Sequence, residues 1–147
     1  MIVVADTTPL RYLVRVGQVD LLESLYKRLV VPEAVLAELQ HARTPEIVRR
    51  WAESPPSWIE PRSVSVSANE LRNLGPGERA AITLAESDPQ SLLIIDERAA
   101  SKQAAAREIS VIGTLGVLES GFRVSERLYA LLIERHRDRG RTSTRER

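Results

Sequence analysis

Short apolar runs recur along the chain, and each gives way to a stretch with helical spacing. Ile2–Ala5 runs into Asp6, Leu29–Val31 into Pro32, Leu92–Ile95 into Asp96, and Val111-Ile112 into Gly113. Runs this short and this uniformly apolar predict buried strands. Between them the pattern is helical. Thr8 as N-cap and Pro9 at the first helical position predict a helix that ends at Gly17, a natural residue just past a helix end. Asp20 caps a second short helix carrying Leu21, Leu22, Leu25 and Tyr26. Pro32 opens a third, with Val35, Leu36 and Leu39 inward. Thr44-Pro45-Glu46 starts a fourth, through Ile47, Val48 and Trp51, which Ser54-Pro55-Pro56-Ser57 stops.

The second half repeats the alternation. Trp58-Ile59 predicts an edge strand, residues 62–67 a weak strand, and residues 68–74 one or two helical turns. Gly75-Pro76-Gly77 predicts a turn, after which Glu78 begins a helix with Ala81, Ile82, Leu84 and Ala85 inward. Arg98–Glu108 is an alanine-rich helix. Gly113-Thr114 opens another, and residues 125–138 form a last amphipathic one with Leu128, Leu131 and Leu132 inward. From Gly140 onward there is no apolar residue, which predicts a tail without fixed structure. Strands alternating with helices predict an α/β fold of three layers, α/β/α, around a mainly parallel sheet. One domain is expected over residues 1–138, followed by a basic tail over 139–147.

Composition narrows the chemistry. The 147 residues include no cysteine, which excludes disulfides and thiolate metal sites, and His41 and His136 are too few for a histidine-rich centre. No apolar run approaches the roughly 20 residues of a membrane span. The first residues lead directly into a strand without a signal-peptide pattern, so a cytoplasmic protein with no membrane partner is expected. The net charge of +1 hides an asymmetry. Residues 121–147 hold eight arginines against four acids, leaving 13 Lys/Arg against 16 Asp/Glu before them. A basic end on a mildly acidic body suits contact with nucleic acid.

The candidate chemistry lies in four acids. Asp6 and Asp96 each follow an apolar strand, where an unpaired buried carboxylate is costly. Two such strands aim two acids at one carboxyl edge, the edge at which open α/β sheets bind ligands. Glu38 sits at the border of the buried face of the Pro32 helix, and Glu78 opens the helix after Gly75-Pro76-Gly77. An acidic cluster of hard oxygen ligands suits Mg²⁺ or Mn²⁺. One or two such ions with a positioned water hold a phosphate and generate hydroxide for in-line attack. Each acid also has a purely structural role open to it: Asp6 and Asp96 as helix caps, Glu78 as a partner of its helix dipole, Glu38 as a solvated helix glutamate. Glu97 and Glu33 are better accounted for by the dipole. Because Thr8 can cap the first helix, Asp6 is free for other work, and the Thr7 hydroxyl can position it or hold a water. Arg11, Arg79, Arg98 and Lys102 lie near the acids in sequence and are candidates for contacts with a nucleic-acid backbone.

These stretches resemble the PIN domain family, in particular its small VapC-like toxin ribonucleases and their prokaryotic relatives. The matching segments are Val3–Leu10, Val30–Leu39, Leu74–Ile82 and Leu92–Ala100, followed by Val111–Leu118 as last strand and helix. The resemblance covers residues 1 to about 122 and is carried by order and spacing together. It implies a PIN-like α/β fold and Mg²⁺- or Mn²⁺-dependent cleavage of RNA. It also implies Asp6, Glu38, Glu78 and Asp96 as the acidic site with Thr7 as accessory hydroxyl, a homodimer, and an antitoxin partner. Two departures stand out. The third acid is Glu78 where many toxins have aspartate, and Ala99, Ala100 and Ser101 leave only Glu97 as an extra acid near the fourth. One-metal binding is therefore an expectation that stands beside full two-metal occupancy.

Other readings fit less well. A haloacid dehalogenase-type phosphatase needs an aspartate where Thr8 stands. A receiver domain needs a paired acid and a later lysine, and Lys102 is on the wrong segment. The glycines at 75 and 77 do not make a phosphate-binding loop. The main rival is a non-catalytic nucleic-acid-binding or interaction protein of the same fold, with the acids as a structural metal site.

Overall fold

A computed structural model describes residues 1–66 and 71–145, the side chains of 140–145 excepted. Five strands and seven helices alternate in the described residues. They are β1 (Val3–Ala5), α1 (Thr7–Arg15), α2 (Leu21–Tyr26), β2 (Leu29–Pro32), α3 (Glu33–Leu39), α4 (Glu46–Glu53), β3 (Ile59–Arg62), α5 (Pro76–Glu86), β4 (Leu92–Ile94), α6 (Arg98–Ala106), β5 (Ser110–Ile112) and α7 (Thr114–Arg145). All neighbouring strands pair in parallel, in the order β3-β2-β1-β4-β5. The expected α/β architecture with a parallel sheet is therefore present, and Ile59 does lie on an edge strand.

The order fixes where a site can form. The chain builds outward from β1 through β2 to β3, then crosses back to place β4 on the other side of β1. The strand order thus reverses between β1 and β4, and ligands of open α/β sheets bind in the crevice at the carboxyl end of such a switch point. Ala5 is in register with Ile94, and the Asp6 N–H donates to the Ile94 carbonyl at 3.0 Å. Asp6 and Asp96 consequently leave the sheet side by side.

Strand periodicity divides the core in two. Val3, Ala5, Leu29 and Val31 face α1 to α4, joined by Leu10, Leu13, Val35, Leu39 and Val48. Val4, Val30, Leu93 and Ile95 face the opposite way, toward Ala81, Ile82 and Ala85 of α5 and Ala100 and Ala104 of α6. The inner strands β1, β2 and β4 bury both faces, which is why their sequences are uniformly apolar rather than alternating, whereas the edge strands β3 and β5 are partly exposed.

Several local expectations change. Helix α1 begins at Thr7 rather than after Thr8, with Asp6 at the N-cap position and its side chain making no cap bond. Gly17 does close the helix, at φ +71°. Helix α5 takes in Pro76 and Gly77, so part of the expected turn is its first turn. Residues 63–66 form no strand. The expected turns over 68–74 fall partly on residues 67–70, outside the described residues.

The largest difference is α7. The sequence predicts two helices and a tail without structure, yet helical backbone is unbroken from Thr114 to Arg145. No proline interrupts it, and Gly121 serves packing rather than a break: it is buried, and a Cβ there would collide with Leu21. At about 1.5 Å per residue, so long a helix outruns the sheet it starts on. Leu128, Leu131 and Leu132, expected inward, are each more than half exposed, as are Phe122 and Tyr129. Among the described residues no helix is long and apolar enough to cross a membrane.

Candidate metal and active site

Asp6 is 1 % exposed, and its Oδ1 is buried without a hydrogen-bond partner among the described residues. A buried carboxylate oxygen left unpaired is unfavourable unless something else meets it. The surroundings make this worse. Burial raises the Asp6 carboxyl from 3.8 to about 7; the Thr7 backbone N–H opposes the shift, and the charges of Glu78, Glu38 and Asp96 add to it. Glu78 is raised too, first by burial and then by Glu97 and Glu38, against a lowering contribution from Gly75.

Asp6, Thr7, Glu38 and Glu78 line one small cavity of about 100 Å³ with Thr8, Arg11 and Gly75. The sequence-predicted residues thus come together from α1, α3 and α5. Asp96 does not line this cavity. It stands beside it, near enough for its charge to act on Asp6. Arg11 lines the cavity wall; Arg79, Arg98 and Lys102 do not.

Each of the other acids is held by a specific donor. The Thr7 hydroxyl donates to Glu38 Oε2 at 2.6 Å, and the Gly77 N–H donates to Oε1 at 2.8 Å. Gly77 is in the first turn of α5, where N–H groups have no helical partner, so Glu38 caps a helix from another element. A side chain at residue 77 would not fit, since its Cβ would lie 2.8–3.0 Å from the Glu38 carboxyl atoms. Asp96 does the same for α7. Its Oδ1 accepts from the Thr114 N–H at 2.8 Å, its Oδ2 accepts from the Thr114 hydroxyl, and a Cβ at Gly113 would sit 2.8 Å from Oδ1. Glu78 reaches back to the Gly75 N–H at 3.2 Å. Glu97 accepts from the Ala100 N–H at 2.7 Å and is occupied as the N-cap of α6.

Sequence reasoning did not single out Gly77, Gly113 or Thr114 as parts of the site. Their signal is a glycine at or just before a helix start that follows a strand or turn. In one dimension that signal is indistinguishable from ordinary turn punctuation.

Among the described residues no group of three or more His, Asp or Glu side chains forms a ready-made metal cage. The donor chemistry nevertheless fits a hard divalent cation. Asp6 offers an unsatisfied oxygen, the acids and hydroxyls around it are hard oxygen ligands, and three acids in the cavity wall face the single positive charge of Arg11.

A family model described as a PIN domain, DUF3368, matches residues 2–123. The chain belongs to the PIN-domain family. PIN domains are generally nucleases and typically use divalent metals. Solved structures that share the fold include these two. A PilT N-terminus domain protein, SSO1118, from Sulfolobus solfataricus P2 is 15 % identical with a TM-score of 0.57, covering 82 % of this chain and 93 % of its own. VapBC2 from Rickettsia felis, bound to a DNA fragment from its promoter, is 18 % identical with a TM-score of 0.54, covering 77 % of this chain and 98 % of that one. Among curated proteins no match is found. The PIN assignment covers β1 to the first turns of α7, so the exposed stretch of α7 that carries Leu128, Tyr129, Leu131 and Leu132 lies beyond the matched region.

Proposed function

We propose that this PIN domain is a metal-dependent ribonuclease that cleaves RNA phosphodiester bonds at the cavity of Asp6, Glu38 and Glu78, with Asp96 beside it. The observation that carries the reading is the orphaned Asp6 Oδ1, buried among acids at the switch point of a parallel sheet. Mg²⁺ or Mn²⁺, held by Asp6 and Asp96 and completed by Glu38 and Glu78, would supply the charge that binds phosphate and acidifies an attacking water. The chain's own residues do the positioning. Thr7 and Gly77 each fix one oxygen of Glu38, Thr114 fixes Asp96, and the buried Asp6 Oδ1 is left without a partner for a cation to meet.

The test is cleavage of a mixed RNA substrate with Mg²⁺ or Mn²⁺, comparing the natural protein with Asp6→Asn. Cleavage that depends on the metal and is lost in the variant supports the reading. Cleavage retained in Asp6→Asn sinks it. Calorimetric titration with Mn²⁺ gives a readout independent of turnover, and binding unaltered by Asp6→Ala and Asp96→Ala removes the ligand assignment.

A second reading has its own support, because Glu38, Glu78 and Asp96 all receive hydrogen bonds from residues at helix starts. In a non-catalytic nucleic-acid-binding protein these bonds would be the acids' whole role. RNA binding without cleavage, unchanged by Asp6→Asn, favours that alternative.

The biological setting we propose is cytoplasmic, as the toxin of a toxin–antitoxin pair. The VapBC2 relative motivates it by its fold and by its own assembly. The apolar face of α7 at Phe122, Leu128, Leu131 and Leu132 is available to a homodimer partner or an antitoxin.

A further inference from the structure

A second cavity, of about 360 Å³, adjoins the acidic one and is lined by Arg11, Glu38, His41, Arg43, Thr44 and Pro45. Arg11 and Glu38 belong to both walls. The two cavities have opposite character. The acidic one sets Asp6, Glu38 and Glu78 against Arg11 alone. The second sets Arg11 and Arg43 against Glu38 alone, and both Glu38 oxygens are already engaged by Thr7 and Gly77.

The basic groups are held ready. Arg11 is one helical turn after Thr7, so it shares the face that looks into the site. Its Nε is buried and has no hydrogen-bond partner among the described residues. His41 and Arg43 ride on the tight turn between α3 and α4. The Thr44 N–H donates to the His41 carbonyl at 2.9 Å, the Thr44 hydroxyl donates to the Glu38 carbonyl at 3.3 Å, and Gln40 Nε2 donates to the Ala52 carbonyl at 3.0 Å. The Arg43 N–H donates to His41 Nδ1 at 3.2 Å. With Nδ1 accepting, the ring N–H is on Nε2, where it can donate to an incoming acceptor. The same turn therefore presents an imidazole donor and a guanidinium, and α1 adds a second guanidinium.

We infer that this cavity is a phosphate subsite: Arg11, His41 and Arg43 bind a phosphodiester group of the substrate strand that flanks the group in the acidic cavity. A guanidinium pair with one imidazole donor suits a tetrahedral oxyanion with several acceptor oxygens. The subsite rests on the nuclease reading for its substrate but not for its anion chemistry. It sets the direction in which a strand lies across the site, because among the described residues the cavity lined by Arg11, His41 and Arg43 adjoins the acidic one at the Arg11 and Glu38 wall.

Two measurements test it and separate it from that reading. Inorganic phosphate titrated into the metal-free protein is expected to shift the NMR signals of the His41 ring and the Arg43 guanidinium saturably. Absence of a shift overturns the subsite. A short single-stranded RNA is then bound in chelator by the natural protein, Arg43→Gln, His41→Gln and, as a control that lines neither cavity, Arg50→Gln. Arg43→Gln is expected to weaken binding roughly five- to tenfold and to flatten the dependence of log affinity on log salt by about 0.7, the value for one lost single-strand phosphate contact. His41→Gln weakens binding less, and Arg50→Gln leaves both quantities alone. Unchanged affinity and slope in both groove variants overturn the proposal. A phosphate shift in a protein that cleaves no RNA supports the subsite while sinking the nuclease reading. Cleavage by a protein whose groove variants bind RNA normally does the reverse.

Discussion

The Thr7 hydroxyl and Glu38 Oε2 are 2.6 Å apart and join α1 to α3 across the mouth of the acidic cavity. The bond decides which way Glu38 faces, because the other oxygen is already fixed on Gly77. Thr7→Val keeps the shape of the side chain and removes the donor. Cleavage should fall roughly ten- to a hundredfold, as when a residue that orients a metal ligand is lost. Stability should change by about 1 kcal/mol or less. Thr7→Ser, which keeps the hydroxyl, should restore most of the activity. Full activity in Thr7→Val beside a loss in Thr7→Ser would show that packing by the threonine methyl, not the hydroxyl, is what Glu38 needs.

Asp6 ties the site to pH. In the metal-free protein its folded-state carboxyl titrates near 7 against 3.8 for the unfolded value, so between these limits the folded state binds the extra proton. Stability is then highest at the low end of that window and falls as pH rises through it, by roughly 4 kcal/mol at most. Thermal unfolding in chelator should therefore show Tm declining from about pH 4 toward pH 7, after contributions from other groups are removed by comparison with Asp6→Asn. The variant lacks the titrating group and should show a flatter profile and a higher Tm at pH 8. Adding Mn²⁺ should raise the Tm of the natural protein and much less that of the variant. Parallel pH profiles for the two proteins would contradict the assignment.

The contrast between what could and could not be read in one dimension has physical causes. Asp6 and Asp96 were legible because a charge that terminates a uniformly apolar strand is costly unless a partner meets it, and the parallel sheet then places both at one edge. Glu38 and Glu78 were weaker signals, since helix glutamates are usually solvated, and only the α3–α5 packing brings them to Asp6. That Glu38 and Asp96 also cap helices distant in sequence was not readable at all. Capping patterns are local, whereas the bonds from Gly77 to Glu38 and from Thr114 to Asp96 span 39 and 18 residues. Helix α7 misled for the opposite reason. The amphipathic pattern of residues 125–138 normally signals a buried face, but the uninterrupted helix carries that face beyond any element it could pack against.

Gly77 and Gly113 give a test of how closely the acids must be held. Gly77→Ala places a methyl within 2.8–3.0 Å of the Glu38 carboxyl, and Gly113→Ala places one 2.8 Å from Asp96 Oδ1. In each case the acid must yield, because the other contact is backbone-fixed on its own helix. We expect each substitution to destabilise by about 1–3 kcal/mol, the usual range for overpacking. Cleavage should fall nearly as far as in Glu38→Ala or Asp96→Ala. A folded Gly77→Ala protein with normal cleavage would mean that Glu38 acts from more than one position.

Asp96 separates capping from chemistry within a single side chain. Its carboxylate accepts the Thr114 N–H at the start of α7, which a neutral amide oxygen also does, while cation binding requires the charge. Asp96→Asn should therefore retain most of the stability, and Asp96→Ala should lose about 1–2 kcal/mol, the usual cost of a removed cap. Both should lose cleavage and Mn²⁺ affinity. Chemical denaturation of the three proteins, read beside RNA cleavage, gives the comparison. If asparagine destabilises as much as alanine, the charge at the helix terminus matters more than the hydrogen bond. If asparagine cleaves RNA normally, Asp96 is a cap alone, and the acidic site reduces to Asp6, Glu38 and Glu78.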